Sequence, residues 1–368
     1  MDTNVEIEQL ALPDALDSPG AGPFLAAAAL ANAVERECQG HDDFAATPLV
    51  QLVQGRDDAY TRHVLLVARR GGVLAGRATM SLPRRDNTHL ANINVQVAPA
   101  HRRAGVGTAL LERLQALAAG AQRSVLSGWS DHTLSGAGTG AAWDVVVPTT
   151  GSGRVPANSP AAGFARAHGF VLEQAEKISV LHLAQGAPAA AGHGTGGYEL
   201  VSWGPHCPDG LLDPYAALRR SMSTEVPLGG LDAREEAWDG ERVRIEEEAI
   251  ARKGETVLVT VARHGATGRL AGHTVLEFNP AQPAVAFQND TLVLPEHRGH
   301  GLGRRMKDAN LAAAARDWPT VERIYTFNAE ENTNMLAINI AMGFIRAGTA
   351  ATWQKKLAAP HGAPIGES

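Results

Sequence analysis

The chain has 368 residues, 44% of them apolar and 20% charged, with a net charge of -6 at neutral pH. That length suffices for two domains of ordinary size, and the composition is that of a soluble globular protein, which excludes a disordered chain. Only five of the 33 basic residues are lysines and 39 acidic residues offset them, so pairs such as Arg84-Arg85 reflect compositional bias and no basic stripe for nucleic acid emerges.

The opening "MDTNVEIEQL" is acidic and lacks a basic run ahead of an apolar one, so no secretory signal is expected. Cys38 and Cys207 stand far apart without metal spacing and read as reduced thiols of a cytoplasmic protein. Phe24 to Ala31 is alanine-rich and too short to span a membrane, so it reads as a buried helix closed by Asn32. Residues 63–83, "HVLLVARRGGVLAGRATMSLP", alternate as two strands around a glycine turn. A strand at 93–97 follows, then "PAHRRAGVG" at 99–107, then a helix from Thr108 to Ala119 stopped by Gly120. Residues 135–160 are rich in Gly, Ser and Thr and read as a loop insertion, followed by a helix ending in Gly169-Phe170 and terminal strands.

"AQGAPAAAGHGTGG" at 184–197 has the composition of a linker. The charged stretch 225–254 comes next, its charges mostly a solvated face. A second hairpin occupies 256–278, a strand 291–294, and "PEHRGHGLG" 295–303. A helix over Arg304–Asp317 stops before Pro319, and another ends in Gly343-Phe344 before terminal strands.

The second series repeats the first. Arg298 − Arg102 = 196 and Gly272 − Gly76 = 196, so hairpin and glycine motif keep one register. Gly343 − Gly169 = 174, which assigns the 22 extra residues of the first copy to the 135–160 insertion. The expected architecture is mixed α/β: two tandem domains, each a twisted mixed sheet flanked by helices. The first covers 1–183, the linker 184–197, the second 198–358, and a flexible tail 359–368.

A loop between strand and helix that holds Gly301 and Gly303, or Gly105 and Gly107, can turn successive N–H groups toward one point. With the free N–H groups of the following helix this makes an anion site suited to a pyrophosphate, and Arg298 or Arg102 adds a permanent charge. Arg304 stands where a G-x-G-x-x-G dinucleotide loop needs glycine, and no G-K-[ST] is present. The competing reading of either loop is a plain glycine-rich turn.

The pattern Val-x-Pro-x-x-Arg-x-x-Gly-x-Gly before a helix, with a later helix ending in Gly-Phe, resembles the GNAT superfamily of acyl-CoA N-acyltransferases. The likeness covers about 60–182 and 255–357, and the tandem arrangement is similar to that of two-domain members such as mycothiol synthase. It implies sheets splayed between their fourth and fifth strands, with the pantetheine arm of acetyl-CoA in the gap and its pyrophosphate on the glycine loop. It assigns acetyl-CoA contacts to Leu292, Val293, Leu294, Arg298, Gly299, His300, Gly301, Leu302, Gly303, Arg304, Asn328 and Asn332. In the first copy the corresponding set is Val97, Arg102, Arg103, Gly105 and Gly107. No metal is implied.

Acyl transfer requires an amine that has lost its proton to a base or water chain, a donor for the oxyanion and an acid for the thiolate. The resemblance makes the oxyanion donor a backbone amide near Val293 or Val97. The superfamily's usual acid, a Tyr four residues before the Gly of Gly-Phe, is Asn339 in the second copy and Ala165 in the first. Asp290, on the strand entering the second motif where the first has Asn94, is a candidate base or a strand-end cap. Asn332 and Asn339 share one helical face, and Asn328 or Asn332 has a competing role as a helix cap.

The catalytic candidates are thus Asp290 and Asn339, in the second half. The expected activity is acetyl transfer to a small-molecule amine by direct attack on the thioester, with no nucleic-acid or membrane partner. Acidic residues of 225–254 facing the cleft would favour a cationic amine. The alternative is a non-acetylating protein that binds acyl-CoA or pantetheine in a carrier or regulatory role, which the missing tyrosines favour.

Overall fold

The structure, a computed structural model, describes residues 4–133, 144–183 and 196–357. The linker expected at 184–197 lies almost wholly outside the described residues, and the tail at 359–368 wholly outside them. The first half runs β1 (Val5–Gln9), α1 (Gly22–Gln39), α2 (Pro48–Gln54), β2 (Thr61–Arg70), β3 (Val73–Pro83), β4 (Leu90–Val97), α3 (Val106–Gly120) and β5 (Val125–Thr133). It continues with β6 (Val145–Val146), β7 (Val155–Pro156), α4 (Pro160–Ala167) and β8 (Val171–His182). The second half holds β9 (Tyr198–Trp203), α5 (Leu212–Glu225), α6 (Gly240–Arg252), β10 (Thr256–His264), β11 (Leu270–Phe278) and β12 (Val285–Val293). It ends with α7 (Leu302–Asp317), β13 (Arg323–Ala329), α8 (Thr333–Ala341) and β14 (Ile345–Lys356).

Helix α1 buries Phe24, Ala27, Ala28 and Ala31 at helical spacing. It does not close at Asn32, whose side chain exchanges two hydrogen bonds with the Ala46 backbone and leaves the helix uninterrupted. The helix stops at Gly40, in the left-handed region at φ 79°. Within the insertion read as loop, β6 and β7 form a small antiparallel ribbon. Val155 joins the first half's core from it, so the described part of the insertion is anchored by apolar burial.

The two halves share one sheet. Its order is β1-β2-β3-β4-β5-β14-β8-β13-β12-β11-β10-β9. All neighbours are antiparallel except β4 with β5 and β12 with β13. Each half contributes a single strand after its Gly-Phe turn, and the two strands are exchanged. β14, at the end of the second half, pairs β5 of the first, and β8, at the end of the first, pairs β13 of the second. β8 and β14 also pair with each other, so the order reads symmetrically outward from their junction.

In each half the fourth and fifth strands part company. β4 pairs β5 only from Leu90↔Val125 to Ile93↔Gly128, and β12 pairs β13 only from Val285↔Arg323 to Gln288↔Thr326. The remaining stretches, 94–97 against 129–133 and 289–293 against 327–329, diverge and open a gap at the strand ends. The glycine loops lie at the mouths of these gaps. Helix α3 covers the first sheet with Leu110, Leu111 and Leu114, all essentially inaccessible to solvent, and α7 covers the second with Met306, Leu311 and Ala314.

Candidate active site

The two glycine loops have one backbone solution with different residues. In the second, Gly299 and Gly301 are both left-handed (φ 84° and 67°), and α7 begins at Leu302. In the first, Gly105 (φ 81°) caps α3, but the other left-handed position is Arg103 (φ 59°), a conformation that strains an L side chain. Alternating left-handed residues ahead of a helix turn several N–H groups to one side and form an anion cradle.

The motif arginines are engaged in matching ways. Arg298 Nε donates to Val293 O (3.1 Å) and its Nη2 to Glu225 at the end of α5 (3.1 Å). Arg102 Nε donates to Val97 O (3.2 Å) and its Nη1 to Glu37 near the end of α1 (2.9 Å). Each arginine therefore ties its loop to the strand end and to a helix, while half of the Arg298 side chain remains exposed. Leu292 and Leu302 are buried beneath the loop, and the Leu294 N–H is spent on Ala271 O (2.9 Å). Arg304 bonds Asp308 (2.8 Å) and Ala341 O of α8 (3.0 Å), fastening the two helices that flank the cradle. His300 and His297 cluster around Tyr198, whose hydroxyl lies 2.8 Å from His297 Nδ1.

Strand β12 carries a bulge that β4 lacks. Thr274 faces Thr291 and Leu276 faces Gln288, so two β12 residues, Asn289 and Asp290, oppose Val275 alone. The Val275 carbonyl left over accepts from Gln288 Nε2 (2.7 Å), which completes its hydrogen bonding. Pairing of β3 with β4 runs without interruption from Gly76↔Val97 to Ser81↔Asn92. The bulge aims Asp290 into a cavity of about 480 Å³ on the face covered by α5 and α6.

Glu246, Glu247 and Arg219 of these helices line the cavity, with Glu277, Gln288 and Asn289 of the sheet and Asn328, Asn332 and Met335 at the splayed end. Arg219 binds both oxygens of Glu246 (3.0 and 3.1 Å), reaches Asp290 Oδ2 at 3.6 Å and stacks over the Trp238 ring at 4.2 Å. Glu247 is held by Arg244 (2.7 Å) and by the Cys207 N–H (2.7 Å). Burial, partly offset by Lys253, raises the Glu277 carboxyl above the usual carboxylate range.

Two lining residues come from the other half, Gln174 and Glu176 of the exchanged strand β8. Gln174 Nε2 donates to Pro227 O and to Glu331, both at 2.8 Å. The Glu176 carboxyl has no hydrogen bond or ion pair among the described residues, and burial, aided by nearby Glu331, pushes it up. Nothing in the first copy's sequence marks β8 as part of the second copy's cleft, so sequence reasoning could not find this pair.

The structure brings Asp290, Asn328 and Asn332 to the cavity wall. Asn332 also caps α8, its Oδ1 accepting from the Met335 N–H at 3.2 Å. Asn339 is not among the lining residues; it is buried behind Asn328 and donates to its Oδ1 at 2.6 Å. Lys307 of α7 in turn donates to Asn339 Oδ1 at 2.7 Å.

In the first half, a methyl group on Gly107 would meet the Phe164 ring at 3.1 Å, against 3.4 Å to Ile338 at Gly303. Gln39, the last residue of α1, donates to Asp131 at 3.0 Å. Among the described residues no group of His, Cys, Asp and Glu has metal-site geometry, and no helix is long and apolar enough to cross a membrane.

A sequence profile of the acetyltransferase (GNAT) family matches residues 35–131 and 221–344. No curated protein matches the chain. Among solved structures, a tandem GNAT protein from the clavulanic acid biosynthesis pathway aligns over 96% of this chain and 98% of its own, with 27% identity and a TM-score of 0.72. A GCN5-related N-acetyltransferase from Sphaerobacter thermophilus aligns over 96% and 95%, with 16% identity and a TM-score of 0.62, and is alike in fold.

Proposed function

The chain belongs to the acetyltransferase (GNAT) family, and from that premise we propose that its second half transfers an acetyl group from acetyl-CoA to the amine of a small, cationic molecule. The observation that carries this reading is the bulge of β12. With it Asp290 stands on the wall of a cavity lined with carboxylates, on the strand that leads into the glycine cradle, a combination that β4 in the first half does not repeat.

The residues present suit the donor. Gly299 and Gly301 leave open space where a side chain would stand, beside the N-terminus of the 16-residue α7, and the parted strands continue from there to the cavity. Bound acetyl-CoA supplies the activated thioester carbonyl. Backbone N–H groups of the splayed stretch 289–293 stabilise the oxyanion. Carboxylates of the cavity attract an ammonium, and Asp290, directly or through water, takes its proton so that the free amine attacks. The C–N bond forms to give the oxyanion, whose collapse breaks the C–S bond, and the proton shed by the new amide nitrogen passes through water to the departing thiolate. A carboxamide at 339 has no proton of suitable acidity to give. The first half closes the shared sheet and lends Glu176 and Gln174 to the acceptor side.

The test is thiol release from acetyl-CoA with a panel of amines, aminoglycosides, peptides and amino acids. Replacing Gly301 and Gly303 by leucine is expected to reduce turnover at least a hundredfold, roughly the loss of about 3 kcal/mol of donor binding and alignment. The same changes at Gly105 and Gly107 are expected to spare it. The opposite pattern would show that the first half is the active one. Coenzyme A binding without turnover of any acceptor would favour a carrier or regulatory role.

A further inference from the structure

Behind the cavity, two facing helices of the second half carry polar residues where the first half carries apolar ones. The offset of 196 that relates α3 to α7 matches Lys307 with Leu111, since 307 − 111 = 196. The offset of 174 that relates the Gly-Phe turns matches Asn339 with Ala165, since 339 − 165 = 174. Leu111 and Ala165 belong to the first half's apolar core. Lys307 and Asn339 are each only 1% exposed, so this fold is stable with an apolar pair at these positions and the second half buries a cation instead, at a desolvation cost.

That cation has no counter-ion among the described residues. Its Nζ donates to Asn339 Oδ1 (2.7 Å) and lies 5.9 Å from the centre of the Phe344 ring. The charged groups of the surrounding elements are engaged elsewhere. Arg304 and Asp308 of α7 bond each other, Glu330 at the end of β13 faces Lys177 and Arg346, and Glu331 accepts from Gln174.

The contact sets a direction. An ammonium only donates, so the Asn339 oxygen must face it. The Asn339 Nδ2 group then donates to Asn328 Oδ1 (2.6 Å), and Asn328, which lines the cavity, is left with its own Nδ2 group for whatever occupies that space. We propose that Lys307 is a positioning residue, holding Asn328 through Asn339 with its amide N–H groups turned into the cavity, where they donate to a carbonyl of the acyl donor. This rests on the acyltransferase reading for the identity of the ligand, and on the structure alone for the orientation of the wall. Burial lowers the Lys307 ammonium to about 7. A neutral amine can accept as well as donate, so above that pH the directional lock relaxes.

Two measurements on the full chain test the proposal. In protein labelled with 15N at asparagine, the side-chain amide signals of Asn328 and Asn339 are expected to shift together with a midpoint near pH 7, and not to shift in Lys307→Leu. Signals that ignore pH in the wild type, or titrate unchanged in the variant, overturn the positioning role. Calorimetric titration with coenzyme A is expected to show binding roughly five- to tenfold weaker in Lys307→Leu/Asn339→Ala, the loss of about one directed hydrogen bond. That variant installs the first half's own pair and is expected to fold, as a thermal melt checks. Unchanged affinity in a folded double variant overturns the role in donor binding. A wild type that binds no coenzyme A overturns the acyltransferase reading and the ligand assignment, while the amide signals still decide whether Lys307 sets the wall.

Discussion

His273 sits on β11 with no exposed surface, and neither ring nitrogen has a hydrogen-bond partner among the described residues. The Tyr215 ring meets it edge-on at 5.6 Å. Burial, with Arg219 adding to it and Asp290 opposing, lowers the imidazole from 6.5 to about 4. The folded state therefore resists protonation that the unfolded chain accepts, so stability is lost as pH falls from about 6.5 toward 4 and is unaffected above that window. The loss from this residue is at most about 3 kcal/mol at pH 4, from the size of the shift. Urea unfolding at pH 7 and at pH 4.5 is expected to show a steeper fall for the wild type than for His273→Leu, and equal slopes would sink the assignment. His132, also lowered to about 4 by burial, contributes to both proteins and cancels in the comparison.

Residues that act through their own backbone were partly legible in the sequence: Gly301 is left-handed as its place in the motif suggests, but its left-handed partner is Gly299 and not Gly303, which lies in the first turn of α7. Asp290 was legible as a polar residue entering the motif. Lys307 was not: in "RRMKDAN" a lysine among arginines on a helix reads as solvated surface, and only the packing of α8 against α7 encloses it.

At the scale of elements, the glycine turn shows what divergence has left in each copy. The first loop holds Arg103 in the left-handed region where the second has Gly299. Its strain is of order 1 kcal/mol. Arg103→Gly is expected to raise the urea midpoint of unfolding by an amount worth about 0.5–1 kcal/mol, net of the added freedom of the unfolded chain. Gly299→Arg is expected to lower it. A stabilising Gly299→Arg change would show that the two loops differ in backbone. Most elements were foreseeable from periodicity: both hairpins and both helices after the loops appear where expected, α3 and α7 starting two residues earlier because the second glycine lies within the first turn. The ribbon β6–β7 escaped detection because strands of two residues carry no alternation to read.

At the scale of the whole molecule, the exchange of β8 and β14 was invisible to an offset argument. Register shows that two strands are equivalent, not which sheet each one joins. Ala350 is the counterpart of Glu176 by the offset of 174 (350 − 176 = 174), and the two face each other across the β8–β14 ladder. The pseudo-twofold axis passes through that rung. A fragment of residues 1–183 lacks β14, and its β5 edge is bare. The equivalent strand available to cover it is β8 of a second fragment, so light scattering is expected to find a dimer, with the full chain unaffected by such pairing. A stable monomeric fragment would mean that β8 folds back onto its own sheet.

The same exchange governs the order in which the protein can be finished on the ribosome. Strand β5 ends at Thr133, and the strand that seals it begins at Ile345. At translation rates of roughly 5–20 residues per second, the intervening segment takes roughly ten to forty seconds to emerge. Throughout that interval the nascent first half presents an open strand edge that waits for β14, the last described strand of the chain.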